Sequence, residues 1–138
     1  MSFAGISYVA VLAAAVASFM FGGAWYGILA KPWMAALGKT EAEIKASGSS
    51  ATPMVIAFVS QLVMAWALAG VIGHLGSGQV TVGNGIISAF FVWLGFVVTT
   101  QVTNHAFQQQ TRSLTLIDCG HWLGVLLIQG LVIGLIGV

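Results

Sequence analysis

The sequence predicts an all-α fold, a four-helix transmembrane bundle within a single domain that spans residues 1–138. Of the 138 residues, 59% are hydrophobic and 5% are charged, and the mean hydropathy is +1.01. A soluble domain carries about 25% charged residues, because its surface has to stay hydrated. The apolar residues fall into four continuous runs, at about 6–30, 53–75, 84–107 and 114–137. Each run is long enough as a helix to cross a hydrocarbon core of roughly 30 Å, and none alternates like a membrane β-strand.

The connection between the first two runs, residues 31–52, is the only sizeable polar segment. Thr40, followed by Glu41 and Glu43, is typical of a helix N-cap with acidic residues in the first turn. We therefore predict a short amphipathic helix between spans one and two. It would lie at the membrane interface, with Trp33 dipping into the headgroup region.

The third and fourth runs contain Thr, Asn, His and Asp, yet their lengths favour complete spans over re-entrant loops. Pro53 stands in the first turn of the second span, where a helix tolerates proline. The fourth span carries a glycine face, on the side opposite to its polar residues: Gly120, Gly124, Gly130 and Gly134. Small residues at such spacing let helices approach closely. We expect tight packing, and we predict a homo-oligomer associating through glycine-lined faces.

The basic residues lie only in the first and third connections: Lys31, Lys39, Lys45 and Arg112. The second connection, residues 76–83, has none. Loops one and three of a four-span protein lie on the same side of the membrane, and the positive-inside rule places that side in the cytoplasm. Both termini are therefore predicted to lie outside the cytoplasm.

Asp118 lies within the apolar fourth span, where an ionisable residue is costly and therefore marks a candidate functional site. His121 follows three residues later and shares its helix face. Thr100 and Asn104 on the third span and Gln61 on the second occupy the same cytoplasmic half of the membrane. The sequence thus predicts that several helices bring polar side chains to one depth, with Asn104 and Thr100 able to hydrogen-bond to Asp118.

Two interpretations of this polar cluster stay open. In the first, Asp118 binds a proton or cation, His121 tunes its protonation and Asn104 orients the carboxylate. In the second, Asp118 is a buried acid that locks the bundle by hydrogen bonds to Asn104, Thr100 or a helix N-terminus. Asp118 and His121 supply two metal ligands where a zinc site uses three or four, so we predict neither a metal nor a cofactor. In place of a metal site, we expect a hydrogen bond between His121 and Asp118. His105 and His74 are expected at wet interfaces.

Aromatic residues also gather near the cytoplasmic ends of the spans. Trp25 and Tyr26 could stack on a ligand, as could Trp33 and Trp122. Trp33 and Tyr26 also fit an interfacial aromatic belt, which anchors many membrane proteins at the level of the headgroups.

The same residues carry a resemblance to a small bacterial membrane family of unknown function. The end of the first span matches it at 22–27, followed by Lys31 and Trp33. The third and fourth spans match at these positions: Thr100, Asn104, Phe107, 116–118 and Gly120. The chain departs from the pattern at 30–32, Ala-Lys-Pro, where a Gly-Lys pair is expected. The resemblance implies four membrane helices, a bacterial inner membrane and no established activity.

These features suggest two classes of function. The first is a small transporter, channel or ligand-binding membrane protein with a cytoplasmic-side site at Asp118. The second is an accessory subunit of a larger membrane complex, in which the polar cluster holds the helices together. The chain offers few acid–base pairs beyond Asp118 and His121, which argues against an enzyme. A net charge of +1 without a basic stripe gives no reason to expect nucleic acid, so the lipid bilayer is the predicted surrounding.

Overall fold

The computed structural model describes residues 5–137, and within them the chain is helical with no strand. Its helices are α1 (Tyr8–Ile28), α2 (Ala30–Leu37), α3 (Glu41–Ala46), α4 (Ala51–Gly73), α5 (Val82–Phe107) and α6 (Arg112–Ile136). Four of them, α1, α4, α5 and α6, are long and apolar enough to cross a membrane. The predicted all-α four-helix bundle is confirmed, and these helices indicate a multi-pass membrane protein. The two chain ends, predicted outside the cytoplasm, lie beyond the described residues.

The helices begin where a side-chain oxygen can accept a bond from a free backbone N–H. Ser7 accepts from the amide of Ala10 at the start of α1. Thr81 starts α5 in the same way, and Thr111 starts α6 by accepting from the amide of Leu114. Such caps stabilise a helix by roughly 1 kcal/mol. The limits of these helices are therefore set by nearby residues of the sequence.

The connection between the first two spans forms two short helices where we predicted one. Thr40 caps α3, as expected, by accepting from the amide of Glu43 at 3.1 Å. The preceding helix α2 ends at Gly38, whose φ of +70° suits a residue without a Cβ. The hydroxyl of Thr111 donates to the carbonyl of Ala36 at 2.9 Å, which fastens α2 to the start of α6. The end of the bundle with α2, α3 and all four basic residues is what we call the basic side.

Helix α6 is the centre of the bundle and packs against α1, α4 and α5. Its glycines pack against two neighbouring helices. The single glycine face that we predicted for association between chains is therefore used for contacts within one chain. A Cβ at Gly120 or Gly124 would meet the rings of Trp25 or Phe21 on α1. A Cβ at Gly130 would overlap the backbone of Gly85 on α5. The homo-oligomer stays a prediction, but these glycines are used for packing within one chain.

Helix α5 is the most exposed of the four spans. Only 11% of the residues in its apolar window are buried, against 33% to 39% for the other three. Its middle, Trp93–Val98, is π-helical, a local widening that the sequence did not predict. The outward residues include Phe91 and Phe96, which suit contact with lipid.

Candidate functional site

Asp118 lies where three helices of the basic side meet, and its two carboxylate oxygens face different neighbours. The hydroxyl of Tyr26 on α1 donates to Oδ1 at 2.7 Å. Nε2 of His105 on α5 lies 3.8 Å from Oδ2, and its Nδ1 is 2.8 Å from Thr115 Oγ1. The Asp118 side chain keeps 20% of its surface accessible and that of His105 keeps 14%. Asp118 is thus positioned by protein groups and still reachable.

The partners predicted for Asp118 on α5 were wrong. Thr100 and Asn104 both have exposed side chains. The Thr100 hydroxyl bonds to carbonyls of its own helix, at Phe96 and Val97. An exposed Thr in an apolar helix satisfies its hydroxyl in this way, since the carbonyls one turn back are the nearest acceptors. His105, expected at a wet interface, takes the place next to Asp118.

Two indole groups brace the turn of α6 that holds Asp118. Trp25 on α1 donates its Nε1–H to the carbonyl of Ile117 at 3.1 Å. Trp93, at the start of the π-helical segment of α5, donates to the carbonyl of Cys119 at 2.8 Å. The two bonds are made to the carbonyls of the residues just before and just after Asp118, so Trp25 acts here as a packing and hydrogen-bonding residue.

His121 is buried among aromatic rings instead of pairing with Asp118. Its ring centroid lies 4.6 Å from that of Trp122 and 4.8 Å from that of Tyr26, and only 5% of the residue is exposed. Its Nδ1 is buried and has no hydrogen-bond partner among residues 5–137. The predicted His121–Asp118 hydrogen bond is therefore not formed. Both side chains contact Tyr26 instead, Asp118 through the tyrosine hydroxyl and His121 through the ring.

Gln61 belongs to a second polar group, deeper in the bundle than Asp118. Its Oε1 accepts from the hydroxyl of Ser18 at 2.8 Å. The amide of Gln129 donates to Ser18 Oγ and to the backbone carbonyl of Gln61, both at 3.1 Å. All three residues are at most 2% exposed, so this network joins α1, α4 and α6 where water has no access.

A cavity of about 620 Å³ opens beside Asp118, between the spans α1, α4 and α6 and the short helices α2 and α3. We call it the Asp118 cavity. Its walls are aromatic and apolar, with Tyr26, Trp33 and Trp122 among the lining residues. Tyr26 and Trp33 meet edge to face, with ring centroids 5.9 Å apart. Ligand sites are typically apolar clefts of roughly 300–1,000 Å³ with a few polar groups, and this cavity fits that description.

A second cavity of about 570 Å³ adjoins the first, and we call it the Gln61 cavity. Four residues line both: Tyr26, Pro53, Met54 and Trp122. Of the predicted site residues, Asp118 lines the first cavity, Gln61 and His121 the second, and Tyr26 both. Trp25, Thr100 and Asn104 line neither.

The charged side chains at the mouth of the Asp118 cavity neutralise each other. Lys45 Nζ lies 2.9 Å from Glu41 Oε1, one turn apart on α3. The ammonium of Lys45 lowers the pKa of Glu41, and the carboxylate in turn raises the pKa of Lys45. Neither Lys nor Arg within residues 5–137 forms a salt bridge with Asp118. Asp118 is therefore the acid of this cavity that no lysine or arginine balances.

On the far side of His105 lies a third cavity of about 480 Å³, lined by His105, Thr115 and Arg112 among others. Asp118 and His105 thus stand between two cavities on the same side of the bundle. The described part of the chain contains no group of three His, Cys, Asp or Glu residues that could hold a metal ion. The chemistry available is hydrogen bonding, charge and aromatic contact.

Sequence reasoning missed Ser18 and Trp93. Ser18 is a lone polar residue in the alanine-rich face of α1, and a buried hydroxyl there needs a partner on another helix. Gln129 is likewise a lone polar residue, in the apolar second half of α6, and it is the partner. These two signals, taken together, could have predicted the contact. Nothing in the sequence marks Trp93 as a hydrogen-bond donor to α6.

A comparison with known proteins identifies the family of the chain. The family model described as Protein of unknown function (DUF1761) matches residues 9–134. The chain belongs to this family. The predicted resemblance to a membrane family of unknown function is thereby confirmed, while the motif positions and the bacterial origin stay predictions. No curated protein and no solved structure matches this DUF1761 member.

Proposed function

We propose that this protein is a small membrane protein that binds an organic cation in the Asp118 cavity. The observation that carries the proposal is the Asp118 carboxylate in a cavity lined mainly by aromatic and apolar side chains, Tyr26, Trp33 and Trp122 among them. The other charged residues of the lining, Glu41 and Lys45, form an ion pair with each other. A cation over an aromatic face is attracted by the ring quadrupole, by about 2 kcal/mol when the site is partly dry. A carboxylate in the same cavity adds a Coulomb attraction, because its charge is opposite to that of the cation.

Charge complementarity argues for a cation over an anion. Glu41 and Lys45 form an ion pair, so Lys45 is already neutralised where it borders the cavity. Asp118 has His105 behind it at 3.8 Å, longer than a hydrogen bond, and that histidine faces the third cavity. A ligand in the Asp118 cavity therefore meets a carboxylate first.

The positive-inside rule supports a cytoplasmic position for the basic side and hence for this cavity. We therefore place the protein in a cytoplasmic membrane, with the cation entering from the cytoplasmic leaflet. Labelling of a single cysteine introduced at Lys39, with a reagent that cannot cross membranes, tests this orientation. Labelling of intact cells from outside would contradict it.

The binding test uses the purified chain in lipid nanodiscs, titrated with tetramethylammonium chloride at constant ionic strength. Asp118→Asn should weaken binding about tenfold or more, because it removes the charge and keeps the shape. Glu43→Gln is the matched control, since it removes an acid from the same side that does not line the cavity. Trp33→Leu, in α2 outside the spans, should also weaken binding. Equal affinity in Asp118→Asn and Glu43→Gln would refute the proposal.

An accessory, structural role is the alternative, and the interhelical bonds of Asp118 and of the Ser18–Gln61–Gln129 group favour it. In that case Asp118→Asn lowers the thermal midpoint of unfolding, and tetramethylammonium binds neither wild type nor variant. The tetramethylammonium titration of the wild-type protein therefore distinguishes the two functions.

A further inference from the structure

The Asp118 cavity and the Gln61 cavity form one groove. They share Tyr26, Pro53, Met54 and Trp122, so the same side chains form the end of one and the start of the other. Along α4 the lining continues from Pro53 to Ser60, and along α1 from Tyr26 back to Phe19. At about 1.5 Å per residue, each of these stretches extends roughly 10 Å from the basic side into the membrane.

The character of the groove changes along this path. Its outer part holds all the charged lining residues: Glu41, Lys45 and Asp118. Its inner part has no charged lining residue and is bordered by Phe19, Ile56 and Ala57. Gln61 and His121 also border it, but they are only 2% and 5% exposed. The exposed polar side chain of this part is Ser60, which carries no charge.

The inner part is also open sideways, between α1 and α4. Met54 and Ile56 are 51% and 60% exposed. Gly23 lines the groove on α1, and a Cβ built there would have no atom within 4 Å. In a bilayer this opening faces lipid chains, which run in the same direction as the groove.

We propose that the ligand is an amphiphile, with a cationic head in the Asp118 cavity and a single apolar chain in the Gln61 cavity, and that it enters sideways from the bilayer. The inference rests on the proposed function, because it extends the same site. The head position follows from the Asp118 charge and the aromatic walls. The chain position follows from the uncharged inner part and its opening to lipid, since burying an apolar chain is favourable whereas burying it against a charged group would cost that group its hydration.

The test compares three probes in phosphatidylglycerol nanodiscs: tetramethylammonium, octyltrimethylammonium and octanol. Affinities are corrected for partition into empty nanodiscs of the same lipid. We expect octyltrimethylammonium to bind at least about tenfold more tightly than tetramethylammonium, because each buried methylene adds to binding. Octanol, which lacks the charge, should bind more weakly than octyltrimethylammonium.

Two glycine variants locate the chain. Gly23→Leu fills the inner part of the groove and should weaken octyltrimethylammonium at least about tenfold more than tetramethylammonium. Gly27→Leu is the matched control, one turn further along α1, with equally open space at its Cβ and no place in either cavity. It should leave both affinities at the wild-type value.

The outcomes separate the two proposals. If tetramethylammonium binds in an Asp118-dependent way but the octyl chain adds nothing, or if Gly23→Leu behaves like Gly27→Leu, the amphiphile is refuted and cation binding stands. If octanol binds as tightly as octyltrimethylammonium, the groove recognises only the apolar chain, and the assignment of a cationic head to the Asp118 cavity is refuted. No binding of tetramethylammonium to the wild type would refute both.

Discussion

The hydroxyl of Tyr26 donates a 2.7 Å hydrogen bond to Oδ1 of Asp118, a residue 92 positions further along the chain. This bond joins the last turns of α1 to the first third of α6 and fixes the carboxylate at the edge of the Asp118 cavity. The tyrosine ring also lines both cavities, so one side chain orients the acid and forms part of the wall.

Tyr26→Phe should lower stability while keeping the aromatic wall. A hydrogen bond to a charged group contributes roughly 1.5–3 kcal/mol, and the variant loses it without losing ring volume. Thermal unfolding in nanodiscs measures the change. Tyr8→Phe is the control, because Tyr8 lies on the same helix and is 73% exposed. Equal midpoints for the two variants would show that the Tyr26–Asp118 bond contributes nothing.

Gly130→Ala should destabilise the bundle, because its Cβ would overlap the backbone of Gly85 and a backbone cannot rotate away. Overpacking of this kind costs about 1–3 kcal/mol. Gly85→Ala should act similarly from the other side of the contact. Gly83→Ala, on the same helix as Gly85, is the control, since a Cβ at Gly83 would meet open space. The measurement is the unfolding midpoint, and a Gly130→Ala midpoint at or above that of Gly83→Ala would contradict the close crossing.

Ser18 and Gln129 should be energetically coupled. In a double-mutant cycle with Ser18→Ala and Gln129→Met, we expect a coupling of about 0.6–1.7 kcal/mol, the range for interhelical hydrogen bonds in membranes. The reason is the 3.1 Å bond between the Gln129 amide and Ser18 Oγ, which neither residue can replace with water. Pairing Gln129→Met with Ser60→Ala, an exposed serine on α4, should give no coupling. Additive effects in the first cycle would refute the network.

Helix α3 should respond to pH through Glu41 and Lys45. The pKa of Glu41 is lowered by Lys45, so its contribution is present above the ordinary pKa of glutamate and is lost as pH falls through the lowered value. The pKa of Lys45 is raised, so its contribution is lost as pH rises through that raised value. Nuclear magnetic resonance shifts of the α3 amides should report fraying at acidic pH. Glu41→Gln should remove this acid response and Glu43→Gln should keep it; a response unchanged in Glu41→Gln would contradict the ion pair.

The limits of the four long helices could be predicted from short segments of the sequence. Predicted limits of 6–30, 53–75, 84–107 and 114–137 compare with Tyr8–Ile28, Ala51–Gly73, Val82–Phe107 and Arg112–Ile136. Length and apolar composition set these limits, and caps such as Thr81 and Thr111 mark them locally. The depth of the polar residues was predicted less well, because Gln61 joins Ser18 and Gln129 deeper in the bundle than Asp118.

The identity of each polar partner could not be read in the same way. Helical phase put Asp118 and His121 on one face, but it did not say which side chain of a neighbouring helix each would meet. That choice depends on how far each helix is rotated and how closely it approaches its neighbour.

By itself, then, the sequence determined an all-α chain with four membrane-length helices and a polar group near one end, because hydropathy and helix geometry are properties of short segments. The tertiary structure alone decided that Asp118 meets Tyr26 and His105, and that Thr100 and Asn104 are exposed. The physical reason is the packing of α6. Its glycines contact large rings on α1 and the backbone of α5, and these contacts fix the rotation of the helices around Asp118.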